Sequence, residues 1–371
     1  VSQPSTEAAV TRMSGPVDWG LAQRVATRIA ARKQGARSYH YDTLEPDFAR
    51  FTAEAEGLVA AETGLQSLSG AARSRVVDRP MWISANIDSF QRLLRPVIEK
   101  LEARGKRSRL SGVTGRVGGA ELGVLLGWMS SRVLGQYDLL IIEDEDPDDQ
   151  DIIYYVGPNV MALERKHAFP PEEFRLWLAL HEVTHRAQFT GVPWLRKHFL
   201  GLVGETLDAV DPDPRILKEA VNRIIQARKA GEDVLGDGGL PALLASPEQR
   251  EILNKISGMM SLLEGHGDIT MDRAGADRIP SADRFSSTLR ARRNSAKGIN
   301  RLFQKIIGME AKLNQYQAGE EFIKAVEAVG GTALVDRAWE GPENLPSMDE
   351  IRTPQLWVDR MTEGVDVAAV S

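Results

Sequence analysis

The sequence predicts a mainly α (α+β) fold, a large helical array carrying one small β-sheet. Apolar residues return every three or four positions through most of the 371 residues, the spacing of helices with one buried face. One region, residues 138–163, is instead dense in Ile, Val, Leu and Tyr over runs of five or six, the texture of short strands. Gly and Pro gather between these runs as breaks.

Taken in order, the first third reads as helices. Val17–Lys33 follows Pro16 and repeats Leu21, Val25 and Ile29 on one face. Ala49–Thr63 and Asp78–Arg104 continue the pattern, and Pro96 is expected to kink or divide the second of them. Gly115, Gly119, Gly123 and Gly127 then recur every four residues. Each glycine inside a helix costs about 1 kcal/mol relative to Ala, so the stripe predicts an offsetting close approach by a neighbouring helix backbone. Asp138–Glu143, Ile152–Val156 and Asn159–Leu163 read as strands, with Gly157-Pro158 as a turn. The intervening run EDEDPDDQD starts like a calcium loop. Asp149 stands where that loop needs Gly, and Tyr155 where it needs Glu, so a solvated acidic loop is expected. Further helices are expected at Pro171–Thr190, Trp194–Leu207, Pro214–Ala230, Pro247–Asp272, Gly298–Gln317, Gly319–Val329 and Thr353–Met361, with Pro342–Pro346 a loop.

Composition narrows the function. At 42% hydrophobic and 26% charged residues, the chain is ordinary for a globular protein and excludes low-complexity, collagen-like and disulfide-scaffold classes. The net charge of −6 argues against a general nucleic-acid binder. Cysteine is absent, which removes thiolate metal sites and cysteine nucleophiles. The best apolar run, Val117–Ser131, carries Glu121 and is flanked by Arg116 and Arg132. It falls short of the roughly 20 apolar residues of a membrane span. Val1–Gly15 has neither a basic start nor an apolar stretch, so no signal peptide is expected and cytoplasm is the expected location.

Six histidines remain: His40, His167, His181, His185, His198 and His266. Two of them form His181-Glu182-Val183-Thr184-His185, an H-E-x-x-H inside a helix opened by Pro170-Pro171-Glu172-Glu173 and closed by Gly191 and Pro193. At 3.6 residues per turn the two imidazoles stand one above the other, where they can share one zinc ion. Glu182, about 100° round the helix, is placed to act on water as a general base rather than to ligate. Phe174, Trp177 and Leu178 carry the same face into apolar surroundings. Arg186 departs from the usual extended motif, which has an uncharged residue there. A third ligand is expected from MMSLLEGHGD, where Glu264 and Asp268 lie four apart on one face. Glu264 is read as the ligand and Asp268 as the support of a ligand imidazole. His266, about 200° from Glu264 on a helix, is the alternative ligand if the helix breaks at Gly265 or Gly267, or a group that hydrogen-bonds substrate. His40, His167 and His198 lack a partner at ligand spacing.

HEVTHRAQF followed by SLLEGHGDITMD, with VDWGLAQRVA before and GMEAKLNQYQAGEEF after, resembles the bacterial zincin-like metallopeptidase type 2 family. Some of its members are labelled as associated with deazaflavin-coenzyme biosynthesis. The pair Glu264…Asp268 is similar to the second metal helix of thermolysin-like zincins. The resemblance implies zincin-like metal-site helices and a zinc cofactor. It also implies a substrate-pairing strand before the metal helix, which Asn159–Leu163 matches in position, and an oxyanion-stabilising residue, for which Tyr316 and His266 are candidates. The organisation expected is a flexible N-terminus (1–15), a helical region (16–135), a metal region (136–365) and a tail (366–371), with 16–365 able to form one unit. The function expected is a zinc-dependent metallopeptidase or amidohydrolase acting on a peptide or small amide. A non-catalytic interaction protein on the same scaffold and a small-molecule metal hydrolase are the alternatives. The basic stretch Arg284–Lys312 reads as a solvated face, and membrane and nucleic-acid partners are not expected.

Overall fold

The computed structural model describes residues 17–31, 39–103, 111–139, 151–208, 247–294 and 309–366. Among them the helices are α1 (Trp19–Ala31), α2 (Leu44–Thr63), α3 (Arg79–Ala103), α4 (Ser111–Met129), α5 (Gly157–His167), α6 (Pro171–Gly191), α7 (Leu195–Asp208), α8 (Pro247–Ala274), α9 (Ala282–Asn294), α10 (Met309–Asp336), α11 (Met348–Arg352) and α12 (Pro354–Asp366). The strands are β1 (Arg73–Val77), β2 (Gly135–Tyr137) and β3 (Ile152–Val156), in sheet order β1-β3-β2. None of the described helices is long and apolar enough to cross a membrane. The mainly α class with one small sheet is the fold observed.

The chain forms two compact units. In the first (Val1–Tyr41, Val76–Leu134, Val156–Ala162) the glycine stripe of α4 lies on α1. A Cβ added at Gly119 would fall 2.3 Å from the Asp18 carbonyl oxygen, at Gly123 2.5 Å from that of Ala22, and at Gly127 2.9 Å from that of Ala26. Both helices advance by four, so α1 presents Ala22, Ala26 and Ala30, all buried, to a surface with no side chains. Two expectations are corrected in this part of the chain. Pro96 does not divide α3, which runs from Arg79 to Ala103, and Asn159–Leu163 is helical rather than extended, within α5. The reason lies at Gly157-Pro158, which is not a turn between strands: Pro158 sits in the first helical turn, where proline lacks only an N–H that has no partner in any case. Asn159 is buried there, accepting from Arg79 Nε at 2.8 Å and donating to the Ser130 and Val133 carbonyls at 2.8 and 2.6 Å.

The second unit (Asp42–Arg75, Gly135–Tyr155, Leu163–Ser371) is built round α6. Fifteen of its 21 residues are buried, so α6 is a central helix with neighbours on most sides, chiefly α2 and α8. Helix α8 in turn packs on α10. Leu262, Phe322, Val326, Met348 and Trp357 form the core there. Helix α10 joins what the sequence suggested were two helices, with a kink at Gly331 (φ 68°). Strand β2 is antiparallel to β3, Gln136 opposite Tyr154, and occupies a sheet edge. The strand expected at Asp138–Glu143 is not seen at its start, since Asp138 and Leu139 lie beyond the end of β2. Residues 140–150, with most of the acidic run, lie outside the described residues, as do Pro214–Ala230 and residues 295–308.

Gly123→Ala tests the helix contact. In an open helix the change would add about 1 kcal/mol; here the β-carbon meets backbone, and thermal unfolding should show a loss of about 1–3 kcal/mol. A stability gain would contradict the packing.

Candidate metal centre

His181 and His185 stand one turn apart on α6, with Nε2 atoms 3.2 Å from each other and rings nearly perpendicular at 85°. Helix α8 brings Glu264 to them: its Oε2 lies 3.5 Å from His185 Nε2 and 4.0 Å from His181 Nε2. Among the described residues these three form the group whose donor atoms converge, all within 4.8 Å. A tetrahedral ion 2.0–2.1 Å from each ligand separates them by roughly 3.3–3.4 Å, so the spacing and the N, N, O donor set fit a zinc ion. Electrostatics agree. Burial opposes charge on His185, but the hydrogen bond and charge of Glu264, then Glu182 and Gln188, outweigh it and raise the imidazole to about 9. The cluster therefore favours positive charge at this point, a proton or a metal cation.

Helix α8 can approach so closely because its sequence lacks side chains where they would intrude. A Cβ at Gly265 would fall 2.3 Å from the Gly319 backbone of α10, and one at Gly267 would touch His185 Cε1 at 3.4 Å and His181 Cε1 at 3.7 Å. The helix does not break at either glycine. Asp268, one turn past Glu264, holds Oδ1 3.9 Å from His181 Nδ1. His266 does not join the cluster. Its Nδ1 lies 3.0 Å from Gln188 Nε2 and its ring meets Trp339 edge-on at 5.1 Å. Burial, helped by the charges of His185 and Arg273, lowers it to about 4, so it is neutral near pH 7. Tyr316 lies on α10 in a stretch whose side chains fall outside the described set.

Glu182 is buried beside this group and faces the sheet. The Tyr137 N–H of β2 donates to its Oε2 at 3.0 Å, and a Cβ at Gly135 would fall 2.5 Å from its Oε1. Only glycine at 135 lets β2 pass so near. Burial pushes Glu182 up to about 7; His185 and the Tyr137 N–H oppose the shift, while the Glu264 charge adds to it. The strand beside the metal helix is thus β2, three residues long and without a periodic signal, and not Asn159–Leu163. Upstream on α6, Trp177 packs with Phe174 and Phe285 at 6.1 and 5.9 Å, the apolar surroundings the sequence suggested.

Arg186 has a structural role. It is 1% exposed by side chain, and its Nε and Nη2 donate to Asp151 at 3.0 and 2.5 Å, Nη1 to Glu56 at 2.8 Å and Nη2 to the Gly70 carbonyl at 2.9 Å. Asp151, the last residue of the acidic run, is therefore a half-buried ion-pair partner, while the rest of the run lies outside the described residues. A cavity of about 310 Å³ adjoins Arg186, lined also by Val59, Leu65, Val183 and Ala187. None of its lining residues belongs to the histidine cluster. Of the basic stretch, Arg284 donates to the His167 carbonyl and Arg290 pairs with Glu320 at 3.6 Å; residues 295–308 are outside the described set.

A mainly α protein with H-E-x-x-H on one helix and a glutamate brought to it from a second has a group that could hold a metal ion. The chain belongs to the zincin-like metallopeptidase family, whose profile matches residues 17–358. Membership implies a metal, usually zinc, and supports a hydrolase of zincin type. The chain is also similar to a crystal structure from Chloroflexus aurantiacus described as "a putative hydrolase with a novel fold". The two share 32% sequence identity and a TM-score of 0.68 over 93% of this chain and 99% of that one. No curated protein matches.

Arg186→Met leaves Asp151 and Glu56 without their shared cation. Denaturant unfolding should show a loss of about 2–3 kcal/mol, since the carboxylates left behind are only partly buried; a change under about 0.5 kcal/mol would mean the guanidinium does not hold them as described.

Proposed function

We propose that the protein is a zinc-dependent hydrolase of amide bonds, acting on a peptide or a small amide. The observation that carries this reading is the convergence of His181 Nε2, His185 Nε2 and Glu264 Oε2 beside a buried carboxylate, Glu182, that does not ligate. His181, His185 and Glu264 would hold the metal, and Asp268 would orient His181. When bound, zinc supplies Lewis-acid polarisation of the scissile carbonyl and acidifies water.

The chain's own part is proton transfer and positioning. Tyr137 N–H fixes Glu182 through Oε2 and leaves Oε1 to take the proton of the attacking water and pass it to the leaving amine. A carboxyl near 7 suits both directions of that exchange at neutral pH. Val156 N–H bonds the Leu134 carbonyl and Asp138 N–H that of Ile152, so the alternate residues Gly135 and Tyr137 turn their backbone groups away from β3. Tyr137 N–H holds Glu182. Gly135 would meet an extended substrate laid along the edge.

Zinc content and turnover on a library of peptides and small amides test the reading. Glu182→Gln should keep one zinc per chain and lose about 10²–10⁴-fold in kcat. A fully active variant would sink the mechanism, and zinc without any cleavage by the wild type would favour a non-catalytic scaffold. Glu264→Ala should weaken zinc binding by well over 10-fold, and an unchanged affinity would remove Glu264 from the ligand set.

A further inference from the structure

We infer that Gln188 is a positioning residue for the metal centre: its amide fixes which nitrogen of His185 carries the proton, and His266 in turn fixes the amide. The inference rests on the proposed metal site at His181, His185 and Glu264, and its own evidence is a chain of hydrogen bonds behind it.

Gln188 lies three residues after His185 on α6 and is fully buried. Three groups meet its amide. Nε2 is 3.0 Å from the Leu263 carbonyl oxygen and 3.0 Å from His266 Nδ1, while Oε1 is 3.0 Å from His185 Nδ1. A backbone carbonyl can only accept, so the amide nitrogen must face Leu263 and the amide oxygen must face His185. Turning the amide over would set two oxygens against each other in a buried place. The assignment then propagates. His185 Nδ1 has only an acceptor before it and carries a proton, so Nε2 is the nitrogen presented to His181 and Glu264. The second amide N–H points at His266 Nδ1, which must therefore be a lone pair, with the His266 proton on Nε2. Leu263 and His266 flank Glu264 on α8, so one side chain of α6 reads the position of α8 and sets the face of the imidazole turned toward the third ligand.

A metal-binding imidazole needs its free nitrogen unprotonated and its ring held in one plane, and an acceptor on the other nitrogen supplies both. Beside His181 stands Asp268, an acid that the sequence pattern suggested, with Oδ1 3.9 Å from Nδ1, a charge nearby rather than a hydrogen bond. His185 receives its acceptor from a neutral amide that no motif suggested. A carboxylate at 188 could accept from His185 but could not donate to Leu263 and His266, which explains why an amide serves here.

The test needs no substrate. Six histidines make the ring nitrogens of the whole chain assignable by ¹⁵N–¹H correlation after histidine labelling. In the wild type the spectra should show a slowly exchanging Nδ1–H on His185 and the Nε2–H form of His266. His266 protonated at Nδ1, or His185 bare at Nδ1, would overturn the inference without any variant. Gln188→Leu should weaken zinc binding 10–100-fold by chelator competition and remove the protected Nδ1–H. His266→Asn, whose Oδ1 replaces the Nδ1 acceptor, should stay within a few-fold of wild type, whereas His266→Leu should not. Gln188→Leu with wild-type zinc affinity and an unmoved His185 signal would overturn the inference. If the wild type itself bound no zinc, the metal reading would fail, and the two histidine signals would still decide the role of Gln188.

Discussion

Two arginines beneath the histidine pair determine where the site can be. Arg175 and Arg186, three turns apart on one face of α6, are both buried. Arg175 donates from Nε and Nη2 to the Glu164 carboxylate at 2.8 and 3.0 Å and from Nη1 to Asp47 at 2.5 Å. Arg186 holds Asp151 and Glu56. A guanidinium taken out of water must keep its carboxylates, so each arginine locks α6 in rotation and height against α2, α5 and the entry to β3. The imidazoles project roughly 90–130° round from them, on a helix that cannot turn.

That immobility gives the remaining contacts their meaning. A second helix must bring its carboxylate to within ligand distance of two rings, and α8 does so by omitting side chains. Gly265 lets α8 meet Gly319 of α10 backbone to backbone, and Gly267 lets it face the imidazoles. Alternating with these glycines stand Glu264 at the cluster, His266 on Gln188 and Asp268 near His181. Glu182, one residue from the first histidine, is carried round to the sheet edge, where burial and the β2 backbone tune it. The three converging side chains and the carboxyl proposed as general base are thus held by the fold itself, and in the proposed reaction their position and electrostatics would supply the catalysis.

The parts legible in the sequence were those whose physics is local. Helical period placed most helices within a few residues, and the four-residue glycine repeat of α4 announced a close neighbour, which α1 is. His181 and His185 were legible because their spacing alone sets their geometry, and Glu264 with Asp268 for the same reason. What was misread depended on contacts distant in sequence. Asn159–Leu163 is a short apolar run buried on several sides, and such a run has no period to separate helix from strand; the proline at its start was the available clue. Strand β1, RSRVV, and three-residue β2 carry almost no pattern. Arg186 looked like a departure from the motif because its carboxylates lie 35 and 130 positions away. Gln188 gave one usable sign, an amide three residues past the second histidine on a helix with few exposed faces.

Zinc X-ray absorption on the reconstituted full-length protein tests the central claim most directly. The account predicts one zinc per chain with a shell of two imidazole nitrogens and carboxylate oxygen at about 2.0–2.2 Å, the imidazole signal falling by half in His181→Ala. A shell of oxygen alone, or one unchanged by that substitution, would contradict it.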